Sequence, residues 1–326
     1  QGPLSSRAAG KGGPPTAGRA LGALRPPPPL PRCSGPSRAR TGAGLGVWPP
    51  APAPECSSPL GRARRRGAVR RVDAEGATVD VASKLRAPQG VALAGGRLFV
   101  CEAARGRVVA IDVATGAMET AWEGLRQPSG IDAVGEELYV ACAASHAVFA
   151  RDLRCREEAR VIAGVPGSAG NMKHEAGGDG GDATAARLFS PSDVSVGPSD
   201  SIYISDSFNG RVRQVSGGVI RTVAGADQSA PRGNGGRATE INIGQPRGVV
   251  CSPEGRLFVA TAPGLVWELR SDDMVPVAGT WVDGNNGDEG DALETRLNTP
   301  CGVTCWGPAL AIADSDNRRI CLVENF

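Results

Sequence analysis

The sequence predicts an all-β protein, a propeller of short four-stranded blades preceded by a structureless tail. Three observations carry this. Strand-forming segments recur five times, 46 glycines and 26 prolines disfavour long helices, and the charge splits near residue 70. No run of the 326 residues reaches the roughly 18 apolar positions a membrane-spanning helix needs.

The charge split separates two objects. Residues 1–71 carry 13 Lys and Arg against a single acid, Glu55, and the remaining residues are net −10. The first stretch also holds 14 of the prolines, and its large apolar residues follow no period. Such a chain buries too little surface to offset its ordering entropy, so residues 1–67 are expected to be a disordered Pro/Arg/Ala/Gly-rich basic segment. Its composition fits a transit peptide, a passive tail or a basic arm that could attract nucleic acid or anionic lipid.

The repeat begins in each copy with proline, any residue, Gly or Asp, then Val or Ile. The five copies start at Pro88, Pro128, Pro191, Pro246 and Pro300. Each is followed by an apolar β-type run, from Leu98, Leu138, Ile202, Leu257 and Leu310, then by a turn and another strand. Asn209-Gly210 is such a turn, and Val219 to Gly225 and Met274 to Gly279 read as fourth strands. One small sheet cannot bury both faces, whereas blades packed face to face can. Blades are therefore expected to start near 88, 128, 191, 246 and 300. Residues 68–87 parallel the stretch before Pro128 and are expected to supply outer strands that complete the C-terminal blade and close the ring.

A second element lies between blades. It reads GDGGDATAARL from Gly178 to Leu188, GNGGRATEINI from Gly233 to Ile243 and GDEGDALETRL from Gly287 to Leu297. These linkers, with the turn segments Asp206 to Val215 (DSFNGRVRQV) and Asp314 to Val323 (DSDNRRICLV), resemble the NHL-repeat family of β-propellers over residues 68–326. The carrying pattern is D-x-x-N-x-R, on Asp206, Asn209, Arg211 and again on Asp314, Asn317, Arg319. The family is usually six-bladed, and only five anchors are present. The chain departs from the pattern at Arg105-Gly106-Arg107, at Ser145-His146-Ala147, at the shortened Pro263-Gly264 turn, and at Asp193, which stands where glycine is usual.

The repeated Asp and Arg flank a four-residue loop and are expected to pair across one hairpin end as blade-turn structure, a surface contact worth about 0–1 kcal/mol. Arg211, Arg213 and Arg221 are expected on a solvated edge. For chemistry, the weak metal candidates are Asp179, Asp182, Asp288 and Asp291, with Glu289, oxygen donors on glycine-rich loops that could hold calcium. The string from Asp283 fits a calcium loop at its first, third and twelfth positions and fails at the fifth and sixth. Asp132 and Asp193 are inward carboxylates near the channel. Two histidines, His146 and His174, are too few for a zinc hydrolase, and His146 reads as a solvated loop residue. Nine cysteines without a C-x-x-C spacing read as reduced thiols of an intracellular, cytoplasmic or organellar protein, and Cys301 and Cys305 lack further ligands for a metal.

The reading that follows is a monomeric, non-catalytic binding scaffold without cofactor. Its expected partner is a protein or peptide held by the inter-blade loops, as the family resemblance implies. Nucleic acid is not expected on the acidic propeller. The alternative is a calcium- or other metal-dependent hydrolase or lyase resembling the propeller lactonases.

Overall fold

The computed structural model describes residues 44–48, 66–72, 78–155, 158–170, 177–227, 230, 232–287 and 290–324. The expected disorder of residues 1–43 and 49–65 lies outside these. Inside that stretch, Gly44–Trp48 forms a strand, β1, which pairs antiparallel with β2 (Arg66–Val72). β3 (Thr78–Arg86) completes this first sheet.

Blade 1 comprises β4 (Pro88–Ala94), β5 (Arg97–Glu102), β6 (Arg107–Asp112) and β7 (Met118–Trp122). Blade 2 comprises β8 (Pro128–Val134), β9 (Glu137–Cys142), β10 (Ala147–Asp152) and β11 (Arg160–Ala163). In blade 3 the strands are β12 (Asp193–Val196), β13 (Ile202–Asp206), β14 (Arg211–Ser216) and β15 (Val219–Ala224). A two-residue strand, β16 (Gly236–Arg237), edges blade 4, which continues with β17 (Gln245–Cys251), β18 (Leu257–Ala262), β19 (Leu265–Arg270) and β20 (Asp273–Gly279). Blade 5 has three strands, β21 (Pro300–Trp306), β22 (Ala309–Asp314) and β23 (Arg319–Glu324). The innermost strand of each blade thus begins at, or within two residues of, an anchor proline.

Residues 68–87 do not complete blade 5. β3 pairs with β2, and among the described residues β23 pairs only with β22. The cause is apolar burial. Val69 and Leu85 pack against Leu98, Val100, Val109 and Ile111 of blade 1, so this strand pair is held by the blade that follows it in sequence.

Side chains alternate across a strand, and each second strand buries both faces. Leu98 and Val100 face the first sheet, while Phe99 and Cys101 face blade 2. That two-sided burial is why these strands read as continuous apolar runs. Leucine or isoleucine also stands three residues before every anchor proline, at Leu85, Leu125, Leu188, Ile243 and Leu297. All but Leu125 are fully or almost fully buried.

The innermost strands converge closely. A Cβ on Gly90 would lie 2.4 Å from Ser129 O, and one on Gly130 2.2 Å from Asp193 Oδ1. At Gly90, Gly130 and Gly248 the repeated glycine is therefore a requirement of strand approach. Among the described residues no helix is long and apolar enough to cross a membrane.

Candidate functional site

Antiparallel order brings the turn between the second and third strands to the same end of the blade as the connection from the preceding blade. At that end a carboxylate closes β13. Asp206 Oδ1 accepts the Phe189 N–H at 2.7 Å, and Oδ2 accepts from Asn209 Nδ2 at 2.8 Å and from Arg213 at 3.2 Å. Asn209 Nδ2 also donates to Arg187 O at 3.1 Å. Blade 5 repeats this. Asp314 Oδ1 accepts the Asn298 N–H at 2.6 Å, Oδ2 accepts from Asn317 and Arg319, and Asn317 donates to Gly284 O at 2.7 Å.

Phe189 and Asn298 each stand two residues before an anchor proline, and blades without the motif conserve this contact by other means. Glu102 Oε1 accepts the Arg86 N–H at 2.7 Å in blade 1, and Arg107 reaches Glu102 Oε2 at 2.6 Å. In blade 2 the Cys142 sulfur receives the Arg126 N–H, and burial pushes this thiol up to about 12. Sequence reasoning missed Glu102 because it sought aspartate.

The expected surface pair of Asp206 and Arg211 does not form. Arg211 donates instead to Asn209 O and to Asp227, each at 2.8 Å, while Asp206 holds Arg213. Asp206 and Arg213 have no exposed surface, and Arg213 also pairs with Asp179. Arg211 and Arg213 are thus buried, not on a solvated edge, and the linker reaches Arg213 through Asp179. Gly180 N donates to Ile220 O and Ala183 N to Gly218 O, each at 2.8 Å, laying the linker along β15. In blade 5, Arg319 and Asp314 do pair, at 2.7 Å, and Asp314 is buried.

Three of the metal candidates, Asp179, Asp182 and Asp291, hold backbone or side-chain groups of this framework. Asp179 holds Arg213 with one oxygen and accepts the Thr222 N–H at 3.0 Å with the other. Asp182 caps a one-turn 3-10 segment, Ala183–Ala185, by accepting from Thr184 N and Oγ1 at 2.8 Å each. Asp291 accepts the Leu293 N–H at 2.9 Å in the equivalent place. Asp288, Glu289 and His174 lie outside the described residues. Among those described, no three His, Cys, Asp or Glu side chains converge as a metal site requires.

Asp132 and Asp193 stitch the inner wall. Asp132 Oδ2 accepts the Val196 N–H at 2.8 Å, and Asp193 Oδ2 accepts the Val249 N–H at 3.0 Å. Ser195 Oγ accepts the Cys251 N–H at 3.1 Å. Each side chain satisfies a donor on the next blade's innermost strand. Burial raises both carboxyls, Asp193 to about 7. His146 is also a bridge, not a solvated loop residue. Its Nδ1 accepts the Ser190 N–H at 3.1 Å, its ring meets Phe189 edge-on, and burial with nearby Arg126 lowers its pKa. None of the seven described cysteines forms a disulfide, Cys301 and Cys305 among them.

A propeller whose linkers and carboxylate-tied turns recur in phase with its anchor prolines is of the NHL class. The family profile of the teneurin NHL domain matches residues 66–232, about half of the chain, and the chain belongs to that family. No curated protein matches it. Two solved structures from Bacteroides thetaiotaomicron share the fold, each at 16% identity. One is described as a structural genomics protein of unknown function (TM-score 0.60) and the other as an auxiliary nutrient binding protein (TM-score 0.59). Both alignments cover 79% of this chain and 64% of the other, so this chain spans less than two thirds of either. A chain of the nidogen/laminin complex is similar at TM-score 0.52 and 13% identity, over 80% of this chain and 92% of that one.

Proposed function

We propose that the propeller is a non-catalytic, monomeric binding scaffold for protein or peptide partners, contacted through its inter-blade loops and working without a cofactor. One observation carries the reading. The described acidic side chains that could serve as ligands or catalysts, Asp132, Asp179, Asp182, Asp193 and Asp291, are engaged in holding backbone, hydroxyl or guanidinium groups. What remains at the linker end is a set of turns on a rigid frame, the usual place for variable recognition. The net −10 of the chain after residue 71 opposes a phosphate backbone. A similar fold in the nidogen/laminin complex is compatible with a protein partner.

The test is calorimetric titration of the full chain with calcium, paired with a lactone-hydrolysis assay. No saturable heat and no turnover are expected. Saturable binding with calcium-dependent hydrolysis would overturn the scaffold reading in favour of a metal-dependent hydrolase.

A further inference from the structure

We propose that the wedge between blades 1 and 2 is a peptide-binding cleft. Its occupant is a short segment of small residues carrying an acid and one branched aliphatic side chain. This rests on the scaffold reading above and names its site.

The later wedges are filled by the chain itself. Ala183, Ala186 and Leu188 pack between blades 2 and 3, Ala238, Ile241 and Ile243 between blades 3 and 4, and Leu297 with Ala292 between blades 4 and 5. The connection from blade 1 to blade 2 has no such linker. It runs from Glu123 to Gln127, and only Leu125 stands at the plugging position, half-buried. A cavity of about 300 Å³ remains, walled by Trp122, Leu125 and Phe149 with Ala159 at its rim. That volume is at the lower end of ligand pockets, a size suited to a side chain and its neighbours.

The register shows what this wedge lacks. Cys142 pairs with Ala147 as Asp206 pairs with Arg211, so Phe149 occupies the place of Arg213, the residue that receives Asp179 of the linker. Two residues further along β10, Arg151 lies over the Trp122 ring at 6.0 Å with its Nε buried and without a hydrogen-bond partner. Arg126 lines the same cavity and has no hydrogen-bond or ion-pair partner for its guanidinium among the described residues. The uncommitted Arg126 guanidinium in the lining, with Arg151 held over Trp122 beside it, favours an aliphatic segment that also carries a carboxylate. Glu123 and Glu158 share the rim, which disfavours a run of acids. The linkers of this chain have that chemistry.

The experiment is fluorescence anisotropy of a labelled peptide, GDGGDATAARL, titrated with the full chain. Saturable binding is expected, weakened at least about tenfold by Ala159→Trp, which fills the cavity from an exposed position, and measurably by Arg151→Met. A version of the peptide with Leu and Ala replaced by Ser is expected not to bind. Equal affinity for wild type and both variants would place binding elsewhere and overturn the cleft while leaving the scaffold reading intact. No binding to the wild type would also overturn the cleft. Calcium-dependent turnover with peptide binding preserved would overturn the scaffold reading and not the cleft.

Discussion

Asp193→Asn tests how the inner wall is held. Asp193 stands on β12 with its Oδ2 on the Val249 N–H at 3.0 Å, and the titratable groups coupled to it are Asp132, Cys101 and Cys301. Burial raises its carboxyl to about 7, the Val249 and Val194 N–H groups oppose the rise, and the Asp132 charge adds to it. An unfolded aspartate titrates near about 3.9, so between these values the folded protein holds a proton that the unfolded chain has released. The associated stability is fully present below about pH 4 and is lost as pH rises through about 7. Three pKa units correspond to about 4 kcal/mol, of which roughly two thirds falls between pH 5 and 8. Asparagine keeps an oxygen for Val249 and cannot ionise. Equilibrium urea unfolding across that window is expected to show the wild type losing stability toward pH 8. The variant should lose the Asp193 part of that slope and keep the part due to Asp132 and Asp206, whose carboxyls burial also raises. His146, with its lowered pKa, acts in the opposite direction in both proteins and cancels in their difference. A flat wild-type profile, or an unchanged slope in the variant, would refute the assignment.

Six further substitutions separate framework from surface by the same unfolding measurement. Asp206→Ala leaves the fully buried Arg213 with one carboxylate and the Phe189 N–H with none, and should cost about 3–5 kcal/mol. Asp152→Ala, which breaks a solvent-screened pair with Arg154, should leave the unfolding midpoint almost unchanged. Gly130→Ala drives a methyl to within 2.2 Å of Asp193 Oδ1 and 2.4 Å of its Cα, and should cost about 1–3 kcal/mol or more, whereas Gly302→Ala meets only Ala313 at 3.5 Å and should be tolerated. Leu188→Ala should cost about 2–5 kcal/mol, and Leu125→Ala less, because that side chain is already half-exposed beside the cavity.

The blade order was legible because it is written in local chemistry. The proline at each anchor, the apolar run after it and the glycine that lets inner strands approach act within a few residues of one another. The ring closure expected of residues 68–87 was not legible. Its signal was a resemblance between two outer-strand stretches, and such a resemblance does not say which sheet edge a strand joins. Val69 and Leu85 decide that by where their apolar faces are buried. The same limit applied to the charged residues. Arg213 looks solvent-facing in a strand that alternates, until the linker from Asp179 covers it. Asp132 and Asp193 look like inward ligands, until the next blade's N–H groups are placed against them. In each case the partner is dozens of residues away and no local pattern announces it.

The departures from the repeat have different consequences. At the turn, what these blades require is an acceptor for the N–H two residues before their own anchor proline. Glu102, the Cys142 sulfur, Asp206 and Asp314 all supply it, so variation there is chemically neutral and does not mark function. At the linker, what the fold requires is apolar filling between adjacent blades. Between blades 1 and 2 the connection is short, Trp122, Leu125 and Phe149 fill the wedge only in part, and open volume remains beside Arg126, whose guanidinium has no hydrogen-bond partner among the described residues. A repeat holds each element in place through its neighbours, so a departure with a replacement preserves the frame and a departure without one leaves a surface. By that criterion the blade 1–2 wedge is where recognition specific to this chain is expected, and the D-x-x-N-x-R turns, despite carrying its most recognisable residues, are where it is not.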